Sequence, residues 1–385
     1  MLFPIKHQAV NWMDGMKISR LHFSASDDHF TDALRDRTAL SLNAYDFGLL
    51  PPFRGGVASS EFEILERVTN QVEIRLRFCN AVTAGGCRID IRALEYGKEL
   101  IYAHTFDTGT DQDADQPIYY HVLLAVNPFD RVPTGIPDPE ETPPRHPYSE
   151  PRYQLLVMPV TQVQADDLGL NHLIIGQLIR LRGRFTVNDA YIPPCTAVVS
   201  HRSLIRYYES FGARLNDIQV NSFKILEKIS TREHPNALAK NVKLLCEKLL
   251  DYISTIFFPY RNMGHQQPPI HLVSCFSSLA HVFFTNLHLN GGKEKEELLK
   301  YFYEWKDVTP GNFEELLTRT IDIVYDHYNI QPSMEQVRSF LDVLSALWSK
   351  LASLEFIGQR RENIVVAEQQ TVRQAQSRQT WTLLE

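Results

Sequence analysis

The sequence predicts an α+β protein, an N-terminal antiparallel β-sandwich followed by an α-helical bundle. Three observations carry that expectation. Apolar and polar residues alternate with period two in several runs between Ser60 and Val187, apolar residues recur at three- and four-residue steps from Leu204 onward, and Asp189-Ala190-Tyr191-Ile192-Pro193-Pro194-Cys195 separates the two regimes. The adjacent prolines lack two amide donors and push Ile192 toward extended geometry, which excludes both a helix and the interior of a central strand. A rigid joint is expected there, with sheet before it and helix after.

Within the first half, Phe62, Ile64 and Leu65 precede Val72, Ile74, Leu76 and Phe78, which alternate with Glu73, Arg75 and Arg77 as in a half-buried strand. Gly85-Gly86 turns the chain into a second alternating run through Arg92, and Glu95-Tyr96-Gly97-Lys98-Glu99 marks a further turn. More strands are expected over residues 119–126, 153–160 and 174–187. In the last of these, Arg180-Leu181-Arg182-Gly183-Arg184 reads as a strand with one solvated face. Short strands at this spacing make a sandwich or barrel. Between residues 127 and 151 lie Pro128, Pro133, Pro137, Pro139, Pro143, Pro144, Pro147 and Pro151, so neither helix nor ladder is expected to persist. That stretch is either a solvated loop or an extended arm across a neighbouring subunit.

The second half begins with an amphipathic helix through Leu204, Phe211, Leu215, Ile218 and Leu226, broken by His234-Pro235. A second helix runs through Val242, Leu249 and Phe257 to Pro259, and a third from Pro268-Pro269 to Asn290-Gly291-Gly292. Residues 294–305, 312–328 and 333–356 also read as helix. The nearly heptad stripe Val337, Phe340, Leu341, Leu344, Leu347, Trp348 and Leu351 fits either a bundle core or a seam between chains of a trimer. The expected organisation is a β-sandwich over 1–200, a helical bundle over 201–292, a C-terminal helical region over 293–358, and a polar Gln-rich tail over 359–385, disordered or ordered by a partner.

With 385 residues, 44% of them hydrophobic, the chain buries a core without disulfides. Its net charge of −7 and pI near 6.1 argue against nucleic acid as a main partner. Five cysteines, with no Cys-x-x-Cys pair, point to a reducing compartment and away from a thiolate zinc site. The N-terminus lacks a secretory pattern, and no run approaches the roughly eighteen apolar residues of a membrane span, so a cytoplasmic protein without direct membrane insertion is expected.

Catalytic spacings are missing from the sequence. Gly291-Gly292-Lys293 is followed by Glu294, which offers no hydroxyl for magnesium, and neither His-Glu-x-x-His nor Gly-x-Ser-x-Gly occurs. Asp111, Asp113 and Asp115 alternate as in a calcium loop but lack its glycine and terminal glutamate, and Asp166-Asp167 and Glu140-Glu141 are adjacent surface carboxylates. His265 and His271 have no carboxylate nearby in sequence. No cofactor, metal or catalytic residue is expected.

The N-terminal residues Trp12, Met16, His22 and Phe23 have two readings. They are either staples of the core or an apolar, aromatic anchor set for a partner. Val10-Asn11-Trp12-Met13-Asp14-Gly15-Met16, then His22-Phe23, then Phe47-Gly48-Leu49, and finally Tyr191-Ile192-Pro193-Pro194-Cys195 together resemble, in order and spacing, the TssK family of type VI secretion baseplate subunits. The resemblance covers about the first 210 residues well and the helices to about Asn290 passably. It implies a shoulder domain like that of siphophage receptor-binding proteins, a helical middle, a homotrimer, and a non-enzymatic adaptor linking the wedge subunits TssF and TssG to the membrane-anchored complex. The family's C-terminal head contains strands, whereas residues 294–356 read as helix here, which implies a divergent member that lacks the usual head or carries a substitute, and a lineage-specific membrane partner. A phage-like tail or receptor-binding component with the same shoulder fold is the alternative.

Overall fold

A computed structural model of the chain describes residues 2–68, 71–92, 100–105, 116–163, 169–306 and 309–359. The expected turn at 95–99, Asp111, Asp113, Asp115, Asp166-Asp167 and the tail from residue 360 lie outside the described residues.

Alternation becomes sheet where it was expected. Strands β1 (Gly48–Leu49), β2 (Ser60–Val68), β3 (Gln71–Val82), β4 (Arg88–Arg92) and β5 (Leu100–Thr105) form one antiparallel sheet about β3, which carries β2 and β1 on one edge and β5 and β4 on the other. A second antiparallel sheet has the order β7-β6-β8-β9, from β6 (Ile118–Thr134), β7 (Tyr148–Pro159), β8 (His172–Leu181) and β9 (Arg184–Val187). Ile74 and Leu76 of the first sheet share one core with Val122, Leu124, Leu173 and Ile175 of the second, the sandwich predicted from period two.

Three local readings are corrected. First, the proline-rich stretch carries ladder: Arg131, Val132, Pro133 and Thr134 pair with Pro151, Glu150, Ser149 and Tyr148 after a bulge beyond Asn127. Pairing with β8 covers only residues 118–125 of β6, so the far half of β6 has one open edge, and β7 is an edge strand throughout. A proline facing an open edge forfeits no hydrogen bond. Second, residues 174–187 are a hairpin, because Arg182 (φ 50°) and Gly183 (φ 76°) form a two-residue turn with both central residues left-handed. Arg180 is buried, its guanidinium 5.6 Å from the Phe185 ring centre. Third, the segment before the joint is not all sheet. Helix α1 (Arg20–Ala39) precedes every strand and turns Asp32, Arg35 and Ala39 inward. With no apolar stripe toward the core, α1 gives no sign of a buried helical face. Its local signals are Ser19 at the N-cap and twenty residues free of Gly and Pro.

The joint itself is welded into the core. Tyr191 through Cys195 are all buried, and the chain runs parallel to β1: Leu49 N–H donates to the Pro194 carbonyl (2.8 Å) and Thr196 N–H to the Leu49 carbonyl (2.9 Å). Gly48, at φ +114°, lies so close that an added Cβ would sit 2.1 Å from the Pro194 oxygen.

Helices α2 (Arg202–Ser230), α3 (Ala237–Met263), α4 (Ile270–Leu289), α5 (Gly292–Lys306), α6 (Pro310–Ile321) and α7 (Ile330–Ser353) follow. Helix α3 continues through Pro259 to Met263, one turn beyond the expected stop. The heptad-like stripe of α7 is buried within this chain, where α7 packs along α2 and Trp348 Nε1–H donates to Ser222 Oγ (2.9 Å). That resolves it as bundle core. Contrary to the sequence reading of apolar runs, α4 is long and apolar enough to cross a membrane by length and composition. Its residues Leu272, Phe276, Leu279, Phe283 and Leu287 are buried in the bundle.

Helix α6 stops at Ile321 instead of running to 328, and residues 322–329 reach back to the sandwich. His327 Nε2–H donates to the Phe47 carbonyl (2.8 Å), Tyr325 Oη and His327 Nδ1 share a hydrogen bond (2.9 Å), and Tyr191 Oη–H donates to the Tyr328 carbonyl (2.8 Å). A carbonyl only accepts, so Nε2 of His327 carries a proton. Burial pushes its pKa down, partly offset by the bond to Phe47 and by Asp46 and Asp326. Burial, reinforced by Arg202 and Arg206, pushes His201, the N-cap of α2, from 6.5 down to about 4.

Because these folded-state values are depressed, the unfolded chain binds more protons between about pH 6.5 and 4, and stability falls as pH is lowered through that window. His201 alone contributes roughly 3 kcal/mol to the loss. Denaturant titrations across the window should show this slope, and His201→Asn, which keeps a capping acceptor, should flatten it.

Candidate partner-binding surface

Helix α1 is held by polar groups on its inner side. Asp32 accepts from Lys6 N–H (2.6 Å), His7 N–H (3.1 Å) and Arg35 Nε (2.9 Å), while Arg35 also donates to the carbonyls of Gly85 (3.2 Å) and Phe3 (3.4 Å). Burial pushes the Asp32 pKa up, but the two amides and Arg35 outweigh it, and the carboxyl is held below its usual value. Its side chain is almost wholly inaccessible, so the low value reflects these bonds and not solvent. The end of α1 rests on the β3–β4 turn, where a side chain at Gly86 (φ +85°) would come within 2.2 Å of the Arg35 carbonyl. Arg131 of β6 ties the middle of the helix down through Asp28 (2.9 Å), Thr31 (3.2 Å) and Asp27 (3.4 Å).

Since the polar face is inward, the apolar face is outward. Phe23 (58% exposed), Phe30 (62%) and Leu34 (69%) lie seven and four residues apart, within one stripe of the helix. Trp12 (50% exposed) joins this stripe, its ring centre 6.3 Å from Phe23 and 6.1 Å from His22. His22 Nδ1 accepts from Ser19 N–H (3.1 Å), which starts the helix. Met16 is half-buried beside the turn at Gly15. Of the four residues singled out in the sequence, Trp12, His22 and Phe23 therefore meet, and the exposure of Trp12 and Phe23 removes their reading as core staples. Phe30 and Leu34 were missed. Their spacing was visible, but it was not read as helix because neither the segment's period nor its charges suggested a buried face.

This surface supplies apolar contact area. Elsewhere, all five cysteines are buried as free thiols, with burial pushing Cys79 and Cys246 up to about 12 and Cys275 to about 11. Thiols so held are poor nucleophiles. Among the described residues no group of three or more His, Cys, Asp or Glu is placed to hold a metal ion.

No protein-family model and no curated protein matches the sequence. Solved structures do. A crystal structure of TssK aligns over 87% of this chain and 69% of its own at 14% identity and a TM-score of 0.46. A cryo-electron microscopy structure of the type VI secretion TssK-TssF-TssG baseplate subcomplex aligns over 89% and 99% at 14% identity and 0.48. A chain of the baseplate complex from the type VI secretion system aligns over 88% of this chain and 99% of its own, at 15% identity and a TM-score of 0.52. At that identity the likeness is one of architecture: the chain has the fold found in a subunit of the type VI secretion baseplate.

Proposed function

We propose that this chain is a structural, non-enzymatic subunit of a type VI secretion baseplate, a cytoplasmic homotrimer that joins the wedge subunits TssF and TssG to a membrane-anchored complex or its lineage-specific counterpart. The shared fold over 88% of the chain carries this reading. The outward stripe of α1 with Trp12 supports it, because half-exposed aromatics on a tied-down helix are suited to be interface anchors. Three copies of one modest surface bind multivalently and need no single strong site.

Trp12→Ala with Phe23→Ala tests the surface. Two anchors at about 2 kcal/mol each correspond to roughly a thousandfold loss of affinity, so co-purification with TssF and TssG should collapse. The unfolding midpoint and the mass by light scattering should stay as in the parent, since neither side chain fills the core. Unchanged co-purification sinks the role of this surface, and a monomeric mass for the parent protein sinks the homotrimer.

A further inference from the structure

At the opposite end of β6 from the Arg131 clasp, the outer face of the second sheet, the 322–329 connection and the first turn of α7 line an open cavity of about 660 Å³. That is within the size range of ligand sites, which favour such domain junctions. His121 and Gln177, register partners on β6 and β8, turn away from the sandwich core and line it. Both are more than nine-tenths buried, and His121 Nδ1 has no hydrogen-bond partner. Gln177 Oε1 accepts from Asn188 Nδ2 (2.6 Å), and both residues line the recess. Tyr119, Tyr191 and Tyr328 also line it, with the Tyr191 ring centre 5.6 Å from that of His121.

The charge of this recess is one-sided. Asp326 stands at its rim, one carboxylate oxygen accepting from Tyr328 N–H (2.9 Å), and no lysine or arginine is among the described lining residues. Burial holds His121 below its usual pKa, so it brings no positive charge at neutral pH. Phosphates and carboxylates find no cation here. Among the described lining residues a planar cation finds tyrosines, side-chain amides and one carboxylate, the set that suits guanidinium better than ammonium.

We propose that this recess binds an arginine side chain presented by a loop or terminus of a partner protein, its guanidinium against Asp326 and the tyrosine rings. The site is remote from the α1 surface and does not depend on which assembly the protein joins.

The test titrates the full chain with the capped tripeptide acetyl-Gly-Arg-Gly-amide, its neutral citrulline counterpart, and agmatine as a free guanidine, by calorimetry or saturation-transfer NMR. The arginine peptide should bind at least tenfold more tightly than the citrulline peptide and more tightly than agmatine. Asp326→Asn keeps the acceptor for Tyr328 N–H but removes the charge, and should weaken arginine binding about tenfold, the share of one charge-assisted hydrogen bond. Tyr119→Ala, at a partly exposed ring, should weaken it several-fold, with unfolding midpoints unchanged in both variants. Absence of binding, equal binding of citrulline, or indifference to Asp326→Asn overturns the proposal. Preference for agmatine overturns the assignment to a protein partner.

Discussion

Replacing Gly48 by alanine is expected to cost about 4 kcal/mol or more, because two penalties coincide. Its φ of +114° is a conformation that L side chains rarely adopt, and the new Cβ would lie 2.1 Å from the Pro194 oxygen and 2.3 Å from its carbonyl carbon. Neither can yield cheaply. Pro194 is fixed in its ring and buried, and the neighbouring Leu49 amide is bound to the same carbonyl. Opening this contact would separate β1 from the joint and expose the Phe47 carbonyl that His327 holds. Gly55→Ala is the control: Gly55 also has positive φ, at +84°, but nothing lies within 4 Å of its Cβ position. Chemical denaturation of both variants separates backbone strain from collision. A Gly48→Ala protein no less stable than Gly55→Ala would refute the close approach of β1 and the Pro-Pro joint.

Arg35→Ala should cost roughly 3 kcal/mol and act on one region. The substitution removes three bonds at once, to Asp32, Gly85 and Phe3, and leaves the Asp32 carboxylate buried with only the Lys6 and His7 amides. The penalty is mostly that of the stranded charge. Asp32→Ala should be comparably harmful, and the double variant far less harmful than the sum, since removing the second partner also removes the unpaired group. Limited proteolysis should cut the N-terminal forty residues early in Arg35→Ala while the helical bundle stays resistant. Additive effects of the two substitutions would show that the pair is not coupled. The same variant should weaken partner binding through α1, because the outward stripe is only as well placed as the polar clasp beneath it.

Strand β4 was legible because it buries one face, and in β3 the alternating Val72, Ile74 and Leu76 are core residues. The α2, α4 and α7 helices were legible for the same reason at helical period. Legibility failed where burial and hydrophobicity part company. In α1 the inward residues are Asp32 and Arg35 and the outward ones Phe23, Phe30 and Leu34, so the usual rule reverses. Pro133 and Pro151 were read as breakers, yet on open edges their missing donors go unused. Val324 and Tyr325 extended an apparent helix because the three-to-four spacing of apolar residues continues past Ile321, while the chain leaves the helix to carry His327 to the sandwich. For the candidate surface, Trp12, His22 and Phe23 could be chosen from sequence as aromatic residues near a terminus. Their exposure and their company with Phe30 and Leu34 could not.

Local chemistry along the chain determined the order of the architecture: sheet from alternation, helices from three-to-four periodicity, and a stiff boundary from two adjacent prolines. Each of these depends only on residues near in sequence, which is why they can be read there. Tertiary structure alone decided that the boundary is clamped against β1 at Gly48, that an Asp–Arg pair and not an apolar stripe seats α1, and that β6, β8, the 322–329 connection and the start of α7 line a recess whose described lining residues include one carboxylate and no lysine or arginine. Those features arise between residues as much as 280 positions apart, as in the His327–Phe47 bond. Pairing at such separations is set by how the packed elements come together, and no local pattern encodes it.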